Sequence, residues 1–394
     1  VVPRHELDAR ILSLQQALRE KDIDAALVVQ HADLYYFGGV VNQAWLYVPA
    51  VGEATLFAFP GSERVHSETK YSRIVPIATP GCLPRKLREF GFHYPGILGL
   101  EADVLPALFY NRLSKLFPSS RLVDISGMIR RIRMVKSAWE LGKMRAACKM
   151  GLKVFEFVPQ VLREAIREID LVGYIEQYSR QLGHPGYRRV RTFNQELTCS
   201  TVLSGPDAGL PSYSGGSLGG KGLDSAFPHA STKRLIEKNE PVIVNFSAWG
   251  EGYVADMTRT YCIGALPSHM DHAYETALTI QERLKKIAKT GEPCCEVWRD
   301  IERLVRKQGL SEHFLGMSRH ASCIGHGVGL EIDELPTLSL QSDMVLQTNM
   351  VVTVEPIFVF PDGAIGLANT FVVGNNGLTS FLDGNDAVVV VQEH

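Results

Sequence analysis

The sequence predicts an α/β domain with a layered sheet over roughly residues 1–130, then a differently built second domain over residues 137–394. Three observations carry this. Strand and helix patterns alternate through the first third of the chain. A basic helical stretch, Ile129 to Met134, runs into Val135-Lys136-Ser137, where Ser137 reads as an N-cap and Glu140 closes a capping box. Beyond that junction, apolar strand-like runs carry scattered acids and surround a histidine framed by glycines, Gly325-His326-Gly327-Val328-Gly329.

The elements follow in order. Leu7, Ile11, Leu14 and Leu18 lie on one helical face, and Asp24 to Val29 reads as a buried strand. Ala44–Val51 and Ala54–Phe59 read as two strands about a turn at Gly52-Glu53. Helices are expected near Leu83–Phe90 and Leu105–Leu116, and strands near Ile97–Leu100 and Leu122–Ile125. A long amphipathic helix is expected from Ala138 to Phe157. Ser212 to Gly222 is rich in Gly and Ser and reads as a mobile loop, or else as a flap or wall of a site. Strands follow near Pro241–Phe246, Val254–Ile263, Val351–Phe360 and Thr370–Val373, with helices near His269–Thr290 and Cys295–Gln308.

Composition narrows the function. With 45% hydrophobic and 21% charged residues, the 394-residue chain is ordinary globular protein. A formal net charge of -2 gives no electrostatic case for nucleic acid or an anionic membrane. No apolar run reaches transmembrane length, and the opening segment has the spacing of a helix face rather than of a secretory leader. The seven cysteines are an odd count without a C-x-x-C pair, which points to reduced thiols and a cytoplasmic location. Cys294-Cys295 has no neighbours to complete a zinc tetrahedron.

The chemistry-bearing residues are few. Asp256 lies in a half-polar strand, and Asn245 lies eleven positions back across the turn Trp249-Gly250-Glu251-Gly252, so a hairpin would turn both toward one cavity. His326 has no side-chain shielding from its flanking glycines, which would let backbone approach a ligand or ion. Glu355 follows the apolar run Met350–Val354 and needs an ion, Arg or Lys if buried. His229 after Pro228 is a second candidate histidine. The run Tyr187-Arg188-Arg189-Val190-Arg191 reads first as a solvated basic segment or dimer contact, and second as a holder of an anionic substrate group.

These motifs, in this order and over the full length, resemble the creatinase / Xaa-Pro aminopeptidase family, which includes prolidase and methionine aminopeptidase. The resemblance rests on Met134 to Ser137 with its helix, Pro228-His229, Asn245 to Thr260, Gly325 to Gly329, Val354-Glu355-Pro356 and Gly363 to Gly377. It implies a creatinase-like N-terminal α/β domain, a pita-bread α+β domain with a curved antiparallel sheet, and a homodimer. It also implies hydrolysis of C–N bonds in small peptides or amides at a centre of two divalent ions held by Asp, Asp, His, Glu and Glu.

Carried over residue by residue, those ligands fall on Asn245, Asp256, His326, Glu355 and Ala368. Register through Thr370, Val373 and Gly377 fixes the last of these. Asp256, His326 and Glu355 are retained, while Asn245 and Ala368 are vestigial positions. His229 matches a substrate-contacting histidine, and Asp333 stands where the family commonly has a histidine before Glu, so both are expected to bind substrate. Catalysis is expected from His229, His326 and Glu355. Even losses around the ligands lower metal affinity roughly 10–100-fold, and here two ligands are gone. The expectation is one divalent ion (Mn, Co, Zn or Fe) or none. Metal-free creatinase is a precedent, although Thr258 stands where that enzyme has a Glu. Three readings stay open: a hydrolase with one ion or none, a ligand-binding pseudoenzyme, and a dimeric scaffold.

Overall fold

The computed structural model describes residues 1–71, 73–212 and 215–392. The chain divides into two compact units, Val1–Arg133 and Met134–His394.

The first unit opens with α1 (Arg4–Glu20), whose Leu7, Ile11, Leu14 and Leu18 are buried. Then follow β1 (Ala25–Val28), α2 (His31–Gly38), β2 (Ala44–Pro49), β3 (Thr55–Ala58), α3 (Val65–Glu68), β4 (Ile74–Pro76), α4 (Leu83–Glu89), β5 (Ile97–Leu100), α5 (Ala107–Leu116), β6 (Arg121–Asp124) and α6 (Ser126–Met134). The strands form one six-stranded mixed sheet in the order β4-β3-β2-β1-β5-β6. A core of Ala25, Leu27, Phe57, Leu98, Leu100 and Leu113 lies against it. Helix α2 is absent from the sequence reading. Its Tyr-Tyr-Phe content favours a strand, but a Gln30 side-chain cap and Gly39 in the left-handed region close it as a helix.

The second unit opens at Met134 and runs through Val135-Lys136 into the helix cap at Ser137. The Ser137 hydroxyl accepts from Glu140 N–H, and the Glu140 carboxylate accepts from Ser137 N–H, so both halves of the capping box form. From there α7 (Ala138–Val161) runs for 24 residues, longer than predicted. It packs on a long hairpin through two close approaches. A Cβ on Gly151 would lie 2.6 Å from Met257 Sδ, and one on Gly250 would lie 2.2 Å from the Lys143 carbonyl oxygen. Next come α8 (Glu168–Gln181), unread in the sequence, then β7 (Ser200–Ser204) and α9 (Gly205–Ala208).

The hairpin is β8 (Pro241–Gly250) and β9 (Tyr253–Ile263). It turns on Glu251 and Gly252 with φ of 50° and 104°, the paired positive φ of a tight two-residue turn. Helices α10 (Ser268–Ile287) and α11 (Cys294–Lys307) follow, then β10 (Cys323–Gly327), β11 (Glu334–Ser339), β12 (Val351–Val354), β13 (Ile357–Phe360), β14 (Gly363–Gly366), β15 (Asn369–Gly374), β16 (Gly377–Ser380) and β17 (Val389–Val391).

The run Val351–Phe360, predicted as one strand, is two. Pro356 has no N–H to continue a ladder, and β12 and β13 lie in different sheets. One sheet is β11-β10-β12-β15-β16, antiparallel throughout; β13 and β14 form a two-stranded antiparallel sheet; and a third is β17-β9-β8-β7, antiparallel except for the parallel β9–β17 pair. An isolated antiparallel bridge, Thr258 to Ala368, ties β9 to the residue before β15. Among the described residues all seven cysteines are free, and no helix is long and apolar enough to cross a membrane.

Candidate metal and catalytic site

The site lies where the hairpin β8–β9 meets the β10–β12–β15 sheet. The hairpin register pairs Asn245 with Thr258 and Ser247 with Asp256, so the four side chains share one neighbourhood. Asn245 Nδ2 donates to Asp256 Oδ1 at 3.1 Å and to Thr258 Oγ1 at 3.1 Å, and Ser247 Oγ donates to Asp256 Oδ1 at 3.3 Å. From the other sheet, His326 pairs in register with Thr353, two residues before Glu355. Register carried one step past Val354–Asn369 sets Glu355 beside Ala368.

Asp256, His326 and Glu355 therefore converge, each offering a ligand atom within 4.8 Å of the others. His326 Nε2 is 3.7 Å from Glu355 Oε1, and its Nδ1 lies 3.0 Å from the Gly327 carbonyl and 3.6 Å from Asp333 Oδ1. A proton on Nδ1 donates to that carbonyl and leaves Nε2 facing Glu355.

Each charged group here acts on its neighbours. Burial raises the Asp256 carboxyl, and the neighbouring Glu355 charge adds to this against the opposing pull of Arg188, which brings it to about 7. Burial likewise opposes the Glu355 carboxylate, but the hydrogen bond and charge of His326 outweigh it and leave Glu355 below its usual range. Burial pushes the His326 imidazole down, yet its bond to Glu355 and the charges of Asp333 and Glu355 lift it well above the usual histidine range. Asp256 and Glu355 thus hydrogen-bond to each other as a carboxyl–carboxylate pair.

The basic segment corrects the sequence reading. Arg188 is not on a solvated face: its side chain is 8% exposed, and Nη2 donates to Asn245 Oδ1 at 2.8 Å and lies 3.7 Å from Asp256 Oδ1. Arg191 is buried as well and lies 3.5 Å from Glu331. The acidic run after the glycine frame is matched cation by cation: Glu331 with Arg191, Asp333 with His326, and Glu334 with Lys136 at 3.0 Å.

The glycines also differ from expectation. A Cβ at Gly325 would lie 2.5 Å from the Thr353 carbonyl oxygen, at Gly327 2.1 Å from that of Leu335, and at Gly329 2.5 Å from Glu334 Oε2. The frame admits neighbouring protein, not a ligand.

His229 is buried, and burial together with Arg188 keeps its imidazole below the usual range. The Gly-rich loop is irregular but tied down beside it: Gly222 N–H donates to the Ala230 carbonyl at 3.1 Å, and Ala230 N–H donates to that of Gly219 at 2.8 Å. That supports a wall over a free loop for this part, while Tyr213 and Ser214 of the same stretch lie outside the described residues. Sequence reasoning missed Ser247 and the Lys136–Glu334 pair. Ser247 was findable, since it lies two residues from Asn245 on the same strand face.

The donor set limits which metal the site can hold. One imidazole and two carboxylates fit a single divalent ion with open positions. They do not fit a pair of ions: Asn245 is a neutral donor already engaged by Arg188, and Ala368 has no donor atom.

Known proteins place the chain. The Creatinase/Prolidase N-terminal domain model matches residues 10–135. An Xaa-Pro dipeptidase of Pyrococcus horikoshii is 26% identical over 376 residues, covering 94% of this chain and 96% of its own length. The structure of an Xaa-Pro dipeptidase from Bacillus anthracis superposes with a TM-score of 0.83 at 22% identity, covering 98% of this chain and 99% of its own. The prolidase from Pyrococcus horikoshii gives 0.80 at 22% identity, over 97% of this chain and all 100% of its own. The second unit accordingly has the pita-bread fold. With residues 142–375, more than half its length, matched by the model of that name, the chain belongs to metallopeptidase family M24.

Proposed function

We propose that the chain hydrolyses a C–N bond in a small peptide or amide, of the Xaa-Pro type or close to it, with one divalent ion at most. The observation that carries this is the convergence of Asp256, His326 and Glu355. Relatives of nearly the same length named as Xaa-Pro dipeptidases support the substrate class. An ion held by the three side chains would supply Lewis-acid polarisation of the scissile carbonyl.

The chain's own residues handle the proton. Without an ion, the Asp256–Glu355 pair holds one proton between carboxyls, the Glu355 carboxylate accepts a proton from the water whose oxygen bonds to the scissile carbon, and His326 Nε2 passes a proton to the departing amine. With an ion bound, that nitrogen would hold the ion as the electrophile in place of the proton. His229, neutral and close to Arg188, orients the substrate, and Asp333 steadies His326 from the opposite side.

A second reading is a pseudoenzyme that keeps the pocket for binding a small ligand. Arg188 on Asn245, together with the missing donor at Ala368, favours it. Steady-state assays on Xaa-Pro dipeptides and small amides, with added Mn, Co, Zn or Fe(II) or with chelator, separate the two. Turnover lost in the His326→Ala variant supports the hydrolase; no turnover under any of these conditions, with the substrates still binding, supports the second reading. Metal-dependent turnover at the level of a two-ion enzyme would overturn the restriction to one ion.

A further inference from the structure

We propose that Arg188 is the resident cation of this site, its guanidinium standing in for the second ion and excluding it. The inference rests on the assignment of the site above but does not depend on turnover.

Four observations support it. Arg188 reaches Asn245, one of the two uncharged residues at acid positions, and its Nη2 donates to Asn245 Oδ1 at 2.8 Å. The same nitrogen lies 3.7 Å from Asp256 Oδ1, at the edge of the cluster that could hold one ion. The guanidinium is permanently charged, so a divalent ion placed within about 4 Å of it would meet strong repulsion even at an effective protein dielectric near 20. Finally, Arg188 Nε is buried and has no hydrogen-bond partner among the described residues. Buried donors are almost always satisfied, so this N–H is available to an oxygen brought in by substrate. A fixed cation with a spare donor can stabilise negative charge on that oxygen, a task a metal would otherwise share.

The three positions act together. Without acids at 245 and 368 the carboxylates that would bind a second ion are missing, and Arg188 supplies a positive charge that needs no ligands. Restoring only the acids therefore gives Arg188 a carboxylate partner rather than making room for an ion.

The test is metal stoichiometry by calorimetric titration with Mn2+ and by elemental analysis after dialysis. It compares the wild type, the Asn245→Asp/Ala368→Glu double variant, and the triple variant that adds Arg188→Met. Expected are at most one ion per chain in the first two and two in the triple variant. Two ions in the double variant with Arg188 intact would overturn the proposal, as would one ion at most in a folded triple variant. Should the triple variant fail to fold, Arg188→Gln in the double-variant background replaces it. Glutamine removes the charge but keeps a polar head that can still donate to Asn245, so a second ion bound there at least tenfold more tightly than in the double variant supports the proposal; unchanged stoichiometry and affinity overturn it.

Discussion

Thr258 and Ala368 exchange both backbone hydrogen bonds, each N–H donating to the other's carbonyl at 3.1 Å. With Asn245 opposite Thr258 on the far side, the bridge sets Asn245, Thr258 and Ala368 in one row across three strands. The two positions without acids are therefore near neighbours. Ala368 is fully buried, so Ala368→Glu alone places a carboxylate in the interior beside Glu355. In chelator the variant should lose about 3 kcal/mol of stability. Mn2+ should recover much of that and bind at least tenfold more tightly than to the wild type, because a fourth oxygen joins Asp256, His326 and Glu355. Thermal melts with and without Mn2+ check this; equal melting in both conditions counts against the placement of Ala368 at the ion.

His326 touches Glu355 through Nε2 and Asp333 through Nδ1. Its replacement by Ala removes the one nitrogen that would hold an ion or, without an ion, donate the proton. On a substrate the wild type turns over, His326→Ala should lower kcat/KM by roughly 100-fold or more. Asp333→Asn should cost less, since the Gly327 carbonyl still holds Nδ1. Equal losses in the two variants would mean that Asp333 takes a direct part. Kinetics on both variants, with circular dichroism as a folding control, decide.

How much of this was legible in the sequence depends on how local each feature is. The capping box at Ser137 and Glu140 is written in four consecutive residues and forms as read. Val351–Phe360 looks like one strand because apolar runs do not show which sheet each half joins, and Pro356 was the only local hint of a break. Helix α8 went unread because its buried stripe, Leu171, Val172, Ile175 and Ser179, is short and ends on a polar residue. The sequence reads Arg188 first as part of a solvated segment or dimer contact and only second as a residue near the site. Its partner Asn245 lies 57 residues away, and charge patterning within a run of arginines says nothing of such a contact.

Lys136 and Glu334 form a buried ion pair at 3.0 Å, with side chains 1% and 6% exposed. Glu334 Oε1 also accepts the backbone N–H groups of Leu330 and Glu331 at 2.8 and 3.1 Å, so it braces the chain just after the glycine frame. Lys136→Met strands the carboxylate and should cost about 3–5 kcal/mol. Lys136→Met with Glu334→Gln should regain part of it, since the amide oxygen still accepts from both N–H groups. A double-mutant cycle by urea denaturation measures the coupling; strict additivity would deny the pair.

A second buried carboxyl pair sits in the first unit. Glu101 Oε2 accepts the N–H groups of Val29 and Gln30 at 2.8 and 3.1 Å, and the residue also hydrogen-bonds to Asp33, which is held by Arg133. Burial, and then the Asp33 charge, raises the Glu101 carboxyl well above its usual range. The folded state therefore keeps a proton that the unfolded chain releases. By linkage its stabilisation is complete below the ordinary glutamate pKa of about 4.3 and is lost as pH climbs toward the raised folded value. Glu101→Gln removes this dependence, because the amide keeps an acceptor for the two backbone N–H groups and has nothing to titrate. Between about pH 4 and 8, bracketing the reference glutamate value, wild type should lose stability relative to the variant as pH rises. Urea midpoints measured on both proteins across that window test the sign: a difference that stays flat, or grows in favour of the wild type, would place the proton elsewhere.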